Sequence, residues 1–216
     1  MIKEVCLENF THVKSAIEKG AHRIELCDNL AVGGTTVSYG VMKQTIRYAQ
    51  NKNIPVMAIT RPRGGDFVYQ KDEIEMMLAD IQMAKQLGVS GIVLGCLQAD
   101  GWLDEAANQQ LLAAAENLEI TFHMAFDAIP ENKQLAAIDW LAQQGVHRIL
   151  THGGPTGSAI EENFERLKKT IQYAGNRLII LPGGGITNEN APAIAEALQV
   201  KELHGTKILG TLDSIA

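Results

Sequence analysis

Residues 19–27 read "KGAHRIELC", and the pattern returns as "LGVSGIVL" at 87–94 and "QGVHRILT" at 144–151. In each, a glycine closes an amphipathic stretch and a short run of apolar and β-branched residues follows. Glycine ends helices because it accepts the left-handed conformation at the C-terminal stop, so the repetition marks one βα unit used several times.

Outward from these three stretches, eight such runs span the chain: 3–7, 23–27, 55–59, 91–95, 119–123, 147–151, 177–181 and 201–205. Helical periodicity fills the gaps. Ile74, Met77, Leu78, Ile81, Ala84 and Leu87 share one face of a predicted helix over 72–88, with Gly88 as its stop. Eight βα units without an antiparallel signal or a long linker predict an α/β fold, a closed (β/α)8 TIM barrel, forming a single domain over 1–216. An open doubly wound sheet fits less well, and no GxGxxG follows the first run.

The chain carries 25 acidic and 19 basic side chains for a formal charge of −6, which leaves no basic footprint for nucleic acid or a membrane surface. No apolar stretch approaches the ~18 residues of a spanning helix, and "MIKEVCLENF" lacks the apolar core of a signal peptide. A cytoplasmic location is expected. Three cysteines, Cys6, Cys27 and Cys96, are too few for a disulfide scaffold and read as reduced thiols. Cys96 and the methionines at helical spacing, including those of "EMMLADIQM", read as core.

Barrels of this kind place their chemistry at the C-terminal ends of the strands. There, "TRPRGGDFVY" (60–69) sets Arg61 and Arg63 around flexible glycines, a fork for a phosphate or carboxylate that Asp66 would orient. The alternative is an arginine–Asp66 pair that merely braces the loop. After the seventh run, Gly183, Gly184 and Gly185 precede a helix and offer backbone N–H groups to an anion, with Gly205, Thr206 and Lys207 after the eighth. The alternative there is a tight turn without a ligand. "TFHMAFDAI" ends the fifth strand on His123 with Asp127 four residues on, an acid–base candidate in which Asp127 would orient the imidazole.

Residues two apart on a strand face the same way, so Glu4 shares the facing of Cys6, and Glu25 that of Cys27. If the cysteines face the lumen, two carboxylates lie beneath them and need partners; Arg61, Arg63, His123 and His204 are the candidates. Neighbouring first and second strands would bring Cys6 and Cys27 within reach of one ion, and two soft thiolates suit Cu(I) better than Zn(II). Two buried cysteines packing as small hydrophobes is the plain alternative.

At these residues the sequence resembles the CutC family. The matching stretches are "EVC", "GAHRIELCDNLAVGGTTVSYGV", "RPRGGDF", "TFHMAFD", "ILTHGG", "PGGGIT" and "ELH", and the resemblance runs through nearly the whole chain. The resemblance implies a TIM barrel, a cytoplasmic homo-oligomer with a dimer as the expected form, copper homeostasis, and Cu(I) bound through Cys6 and Cys27. Two positions depart from the family pattern. Met124 stands where arginine is usual, removing a positive charge from the active face. His152 stands where serine is common, adding a proton donor or metal ligand unless it is a solvated loop residue. The chain stops soon after the eighth run, so family features on a longer tail are expected to be missing.

Two readings follow. One is a Cu(I)-binding copper homeostasis protein. The other is a barrel enzyme acting on a small phosphorylated or carboxylated metabolite, with Arg61, Arg63, Asp66, Gly183, Gly184, Gly185 and His204 holding the anion and Glu25, His123 or Asp127 moving protons.

Overall fold

The structure is a computed structural model describing residues 1–154 and 157–213. Eight strands, β1 (Ile2–Glu8), β2 (Arg23–Cys27), β3 (Val56–Ile59), β4 (Gly91–Leu94), β5 (Glu119–Phe122), β6 (Arg148–Thr151), β7 (Ile179–Pro182) and β8 (Glu202–Gly205), run parallel. They match the predicted runs to within two residues at either end. Seven α-helices are present among the described residues: α1 (Val13–Glu18), α2 (Tyr39–Gln50), α3 (Lys71–Leu87), α4 (Glu105–Ala114), α5 (Glu131–Gln143), α6 (Phe164–Ala174) and α7 (Ala191–Leu198).

The strand order β7-β6-β5-β4-β3-β2-β1-β8 makes a nearly closed (β/α)8 barrel whose seam lies between β7 and β8. Above the seam an isolated bridge joins Thr187 to Lys207. Strands β2, β3, β4 and β6 are buried along their whole length, as expected where helices cover the outer face and side chains fill the lumen.

Helix α3 shows how the periodicity becomes packing. Gln70 and Glu73 form a capping box at its start; Met77, Ile81 and Ala84 are fully buried; Gly88 closes it at φ +83°. Met76 turns outward and is 56% exposed, so the methionines of this helix are not all core as expected. Cys96 is buried in the main core, as a small hydrophobe would be. Strand β7 starts two residues later than expected; Arg177 before it pairs with Asp139 of α5 and donates to the Tyr173 carbonyl of α6.

Candidate functional site

The lumen is built in layers by the period of two along each strand. At its N-terminal end, "RIELC" points Arg23 inward, β6 contributes Arg148 and β8 contributes Glu202. Arg23 bonds Glu4, and also Glu202 at 2.6 Å. Arg148 reaches Glu202 at 3.2 Å and Glu119 at 2.6 Å. Of the partners the sequence offers for Glu4, namely Arg61, Arg63, His123 and His204, His204 pairs with it, while Arg23 and the ion-pair floor go beyond that expectation. Its signal was present: Arg23, Glu25 and Cys27 alternate along one strand.

One layer up, His204 Nδ1 lies 2.8 Å from Glu4 Oε1 and Nε2 lies 3.6 Å from Glu25 Oε2. Burial favours a protonated Glu4, but the hydrogen bond and charge of His204, with the Arg23 guanidinium, outweigh it and hold the carboxyl at about 2. Burial pushes Glu25 the other way, upward, against the opposing pull of His204. Burial also disfavours a charged His204, yet Glu25 and Glu4 raise its pKa on balance.

Cys6 pairs across β1 and β2 with Glu25, and Cys27 sits two residues further towards the mouth beside Glu8. Both thiols face the lumen in a small cluster with Met57, Ile59 and Val93. Their sulfurs are 3.7 Å apart, and Cys27 Sγ also lies 3.5 Å from the Leu7 carbonyl. The hydrogen bond to Cys27, then burial and the nearby Glu25, push the Cys6 thiol well up. Cys6, Glu25 and His204 place one ligand atom each within 4.8 Å of one another.

Above this cluster opens a pocket of about 680 Å³ at the C-terminal mouth. Its lining includes Cys6, Glu25, Arg61, Phe67, His123 and His204, with Gly184, Gly185, Gly205 and Thr206 at the rim. Arg61 is 4% exposed and spends its terminal nitrogens on the Val32, Gly34 and Gly65 carbonyls, while Nε has no partner among the described residues. The Phe67 ring lies between Arg61 and His123, 4.9 Å from the guanidinium and 4.9 Å from the imidazole. His123 Nδ1 accepts from the Ala125 amide, so Nε2 carries the proton, and it too lacks a partner among the described residues. Burial and the charge of Arg61 drop His123 to about 3, leaving it neutral near pH 7. Gly95 makes room: a Cβ there would come within 2.8 Å of His123 Cε1.

Three expectations are corrected. Arg63 does not join Arg61 in a fork. Its guanidinium is held outside the pocket by Glu73, Asp66 and the Val68 carbonyl, so Asp66 braces the loop. Asp127 does not orient His123, because it accepts from Thr151 Oγ1 and from the amides of His152 and Gly153. Burial nevertheless pushes its carboxyl up. The glycine triplet does not open a helix, since α7 begins at Ala191 and the Thr187 and Asn190 side chains already accept the amides before it. Gly184 and Gly185, at φ +89° and +75°, instead form part of the pocket rim.

The two unusual positions also have places. Met124 lines the pocket. His152 is only 3% exposed and not a solvated loop residue; its ring nitrogens face the Gly183 carbonyl at 3.1 Å and Ser158 Oγ at 3.3 Å.

Fold and site together define a (β/α)8 barrel protein with thiol, carboxylate and imidazole groups gathered beneath its C-terminal mouth. A model of the CutC family matches residues 1–209, and the chain belongs to that family. A CutC family protein of Enterococcus faecalis is 58% identical over 209 residues, spanning 97% of this chain and 100% of the relative. A copper homeostasis protein cutC homolog of Homo sapiens is 41% identical over 203 residues, 94% of this chain and 72% of its own length. The solved CutC structure of Streptococcus agalactiae superposes with a TM-score of 0.94 at 45% identity, covering 96% of this chain and 99% of that one. Deoxyribose phosphate aldolase of Aeropyrum pernix, at TM-score 0.70 and 11% identity over 96% and 87% of the two chains, shares the fold alone.

Proposed function

We propose that this chain binds Cu(I) as cargo through the thiolates of Cys6 and Cys27 and serves copper homeostasis. The observation that carries the reading is the 3.7 Å separation of the two sulfurs. Two sulfurs on one ion at about 2.3 Å each can lie up to ~4.6 Å apart, so both reach a shared ion without moving the backbone. The donors fit the cargo, because thiolates are soft ligands and the surrounding Met57, Ile59 and Val93 exclude water. Cys6 lines the pocket and is the sulfur an incoming ion reaches; Cys27, beside it, is fully buried. Binding expels the thiol protons, so affinity is linked to pH. Three free, buried thiols suit a reducing cytoplasm. No helix among the described residues is long and apolar enough to cross a membrane. The family resemblance further implies a homo-oligomer, a dimer being the expected form, which light scattering would measure.

An anaerobic Cu(I) competition titration against a strong chelator tests the reading. One tight site per chain is expected, lost in Cys6→Ser/Cys27→Ser; binding indifferent to both thiols would remove the basis for it.

A second reading, an enzyme acting on a small phosphorylated or carboxylated metabolite, is favoured by one observation: Arg61 Nε and His123 Nε2, both buried at the pocket, have no partner among the described residues. Buried polar atoms are seldom left unpaired, and a ligand oxygen would satisfy them. In this reading Arg61 and the Gly184–Gly185 backbone hold the anion, while His123 and Glu25 move protons. A phosphate-dependent rise in Tm that disappears in Arg61→Ala is the expected result; an unchanged rise would exclude Arg61.

A further inference from the structure

The two cysteines do not account for the chemistry around Cys6. Beside it, on adjoining strands of the order β2-β1-β8, stand Glu25 and His204, and the three ligand atoms lie within 4.8 Å of one another. We propose that Cys6, Glu25 and His204 form a three-ligand site for a divalent transition ion of the Zn2+ type, separate in donor set from the dithiol pair and competing with it for Cys6.

The donor set is the first argument. One thiolate, one imidazole and one carboxylate make a mixed S, N, O set suited to a borderline divalent ion, whereas Cu(I) prefers the two sulfurs. Nitrogen and oxygen ligands on one tetrahedral ion sit roughly 3.3 Å apart. His204 Nε2 and Glu25 Oε2, at 3.6 Å, are already close to that spacing. The Cys6 sulfur lies within 4.8 Å of both.

The surroundings of His204 are the second. Its Nδ1 lies 2.8 Å from Glu4 Oε1, and Glu4 is in turn bonded by Arg23. A histidine that gives its far ring N–H to a buttressed carboxylate has its other nitrogen oriented for a metal, and metal-binding histidines almost always have such a partner. Here the free nitrogen points at Glu25.

Glu25 supplies the third. Its Oε1 is buried without a hydrogen-bond partner among the described residues, an atom that a cation would satisfy.

All three residues line the 680 Å³ pocket that also holds Arg61 and His123. Three protein ligands with the fourth position open to a pocket is the arrangement of a catalytic rather than a structural zinc site. An ion there would polarise a carbonyl or phosphoryl oxygen of a substrate whose anionic group lies towards Arg61. The site stands independently of the copper reading, because Cys27 belongs only to the dithiol pair and Glu25 and His204 only to the mixed set.

Co2+ is the probe, titrated into reduced protein without oxygen, because a thiolate-to-cobalt charge-transfer band reports sulfur ligation directly. The native chain should take up one Co2+ per chain with that band and with the intense visible bands of a four-coordinate ion. One equivalent of Zn2+, or of Cu(I), should abolish them. Cys27→Ser should keep the spectrum while losing tight Cu(I) binding. Glu25→Gln, nearly isosteric, and His204→Asn should each weaken Co2+ at least tenfold, with circular dichroism melts checking that each variant folds. If His204→Asn does not fold, Glu25→Gln decides. Absence of a cobalt–thiolate band in the native chain would overturn the proposal. So would a band lost in Cys27→Ser but kept in Glu25→Gln, which would assign the ion to the dithiol pair.

Discussion

Cys6 and Cys27 touch sulfur to sulfur at 3.7 Å, although the strand register pairs Cys6 with Glu25 and sets Cys27 two residues higher. The contact is diagonal across β1 and β2, with each thiol leaning along its strand. Each cysteine faces a glutamate in the register, Cys6 the buried Glu25 and Cys27 the exposed Glu8, so the two thiols are chemically unlike.

The charged floor of the lumen predicts an asymmetric response to mutation. Arg148 and Glu202 are both largely buried and paired. Glu202→Gln leaves Arg23 and Arg148 short of a counter-charge, and a loss of about 3–5 kcal/mol is expected from chemical denaturation. Replacing several members of the network together with apolar residues of similar volume should cost less than that single change.

Arg61 clamps two loops by donating to carbonyls at Val32, Gly34 and Gly65. Arg61→Ala should destabilise the fold by about 1–3 kcal/mol, since the buried Gly34 carbonyl loses its donor. Arg61→Lys should not restore it, because one ammonium cannot span the three acceptors of a planar fork. Urea midpoints of the two variants make the comparison.

Gly95→Ala tests the packing of His123. The added Cβ would meet the imidazole at 2.8 Å, so the ring must move or the strand must yield. A cost of about 1–3 kcal/mol is expected, with the His123 imidazole resonances displaced in NMR spectra.

His123 also sets an acid limit. Its folded pKa of about 3 lies below the ordinary 6.5, so the folded state disfavours the proton that the unfolded chain accepts. For a depressed group the contribution to stability is fully present above 6.5 and is lost as pH falls from there towards 3. Glu4, ordinary 4.5 and folded about 2, acts in the same direction over a lower window. These two groups lower the unfolding free energy on acidification below pH 6.5, Glu25 and Asp127 act oppositely because their folded pKa values are raised, and His123→Asn should remove the decline that His123 contributes.

How much of this was readable beforehand follows from the range of each interaction. The strands, and the inward facing of Glu4, Cys6, Glu25 and Cys27, rest on a period of two and survived intact. The same rule makes Arg23 a lumen residue beside His204, and both reach Glu4 from strands that flank β1. An arginine–Asp66 brace is legible as the alternative to a fork, but the Glu73 contact and the turn of Asp127 are not. Glu73 lies ten residues from Arg63 and meets it only because the loop folds back on α3. Asp127 turns to the β6 loop because a 3-10 turn at Met124–Ala128 carries it away from His123. Sequence spacing places residues near each other; loop geometry decides which way they turn.

Joint ligation of one Cu(I) by Cys6 and Cys27 is open to copper-edge X-ray absorption on the chain loaded with one equivalent. A Cu(I) edge with two sulfur scatterers in the first shell is expected, falling to one in Cys27→Ser. A first shell of nitrogen or oxygen alone, or a sulfur count unchanged in that variant, would contradict it.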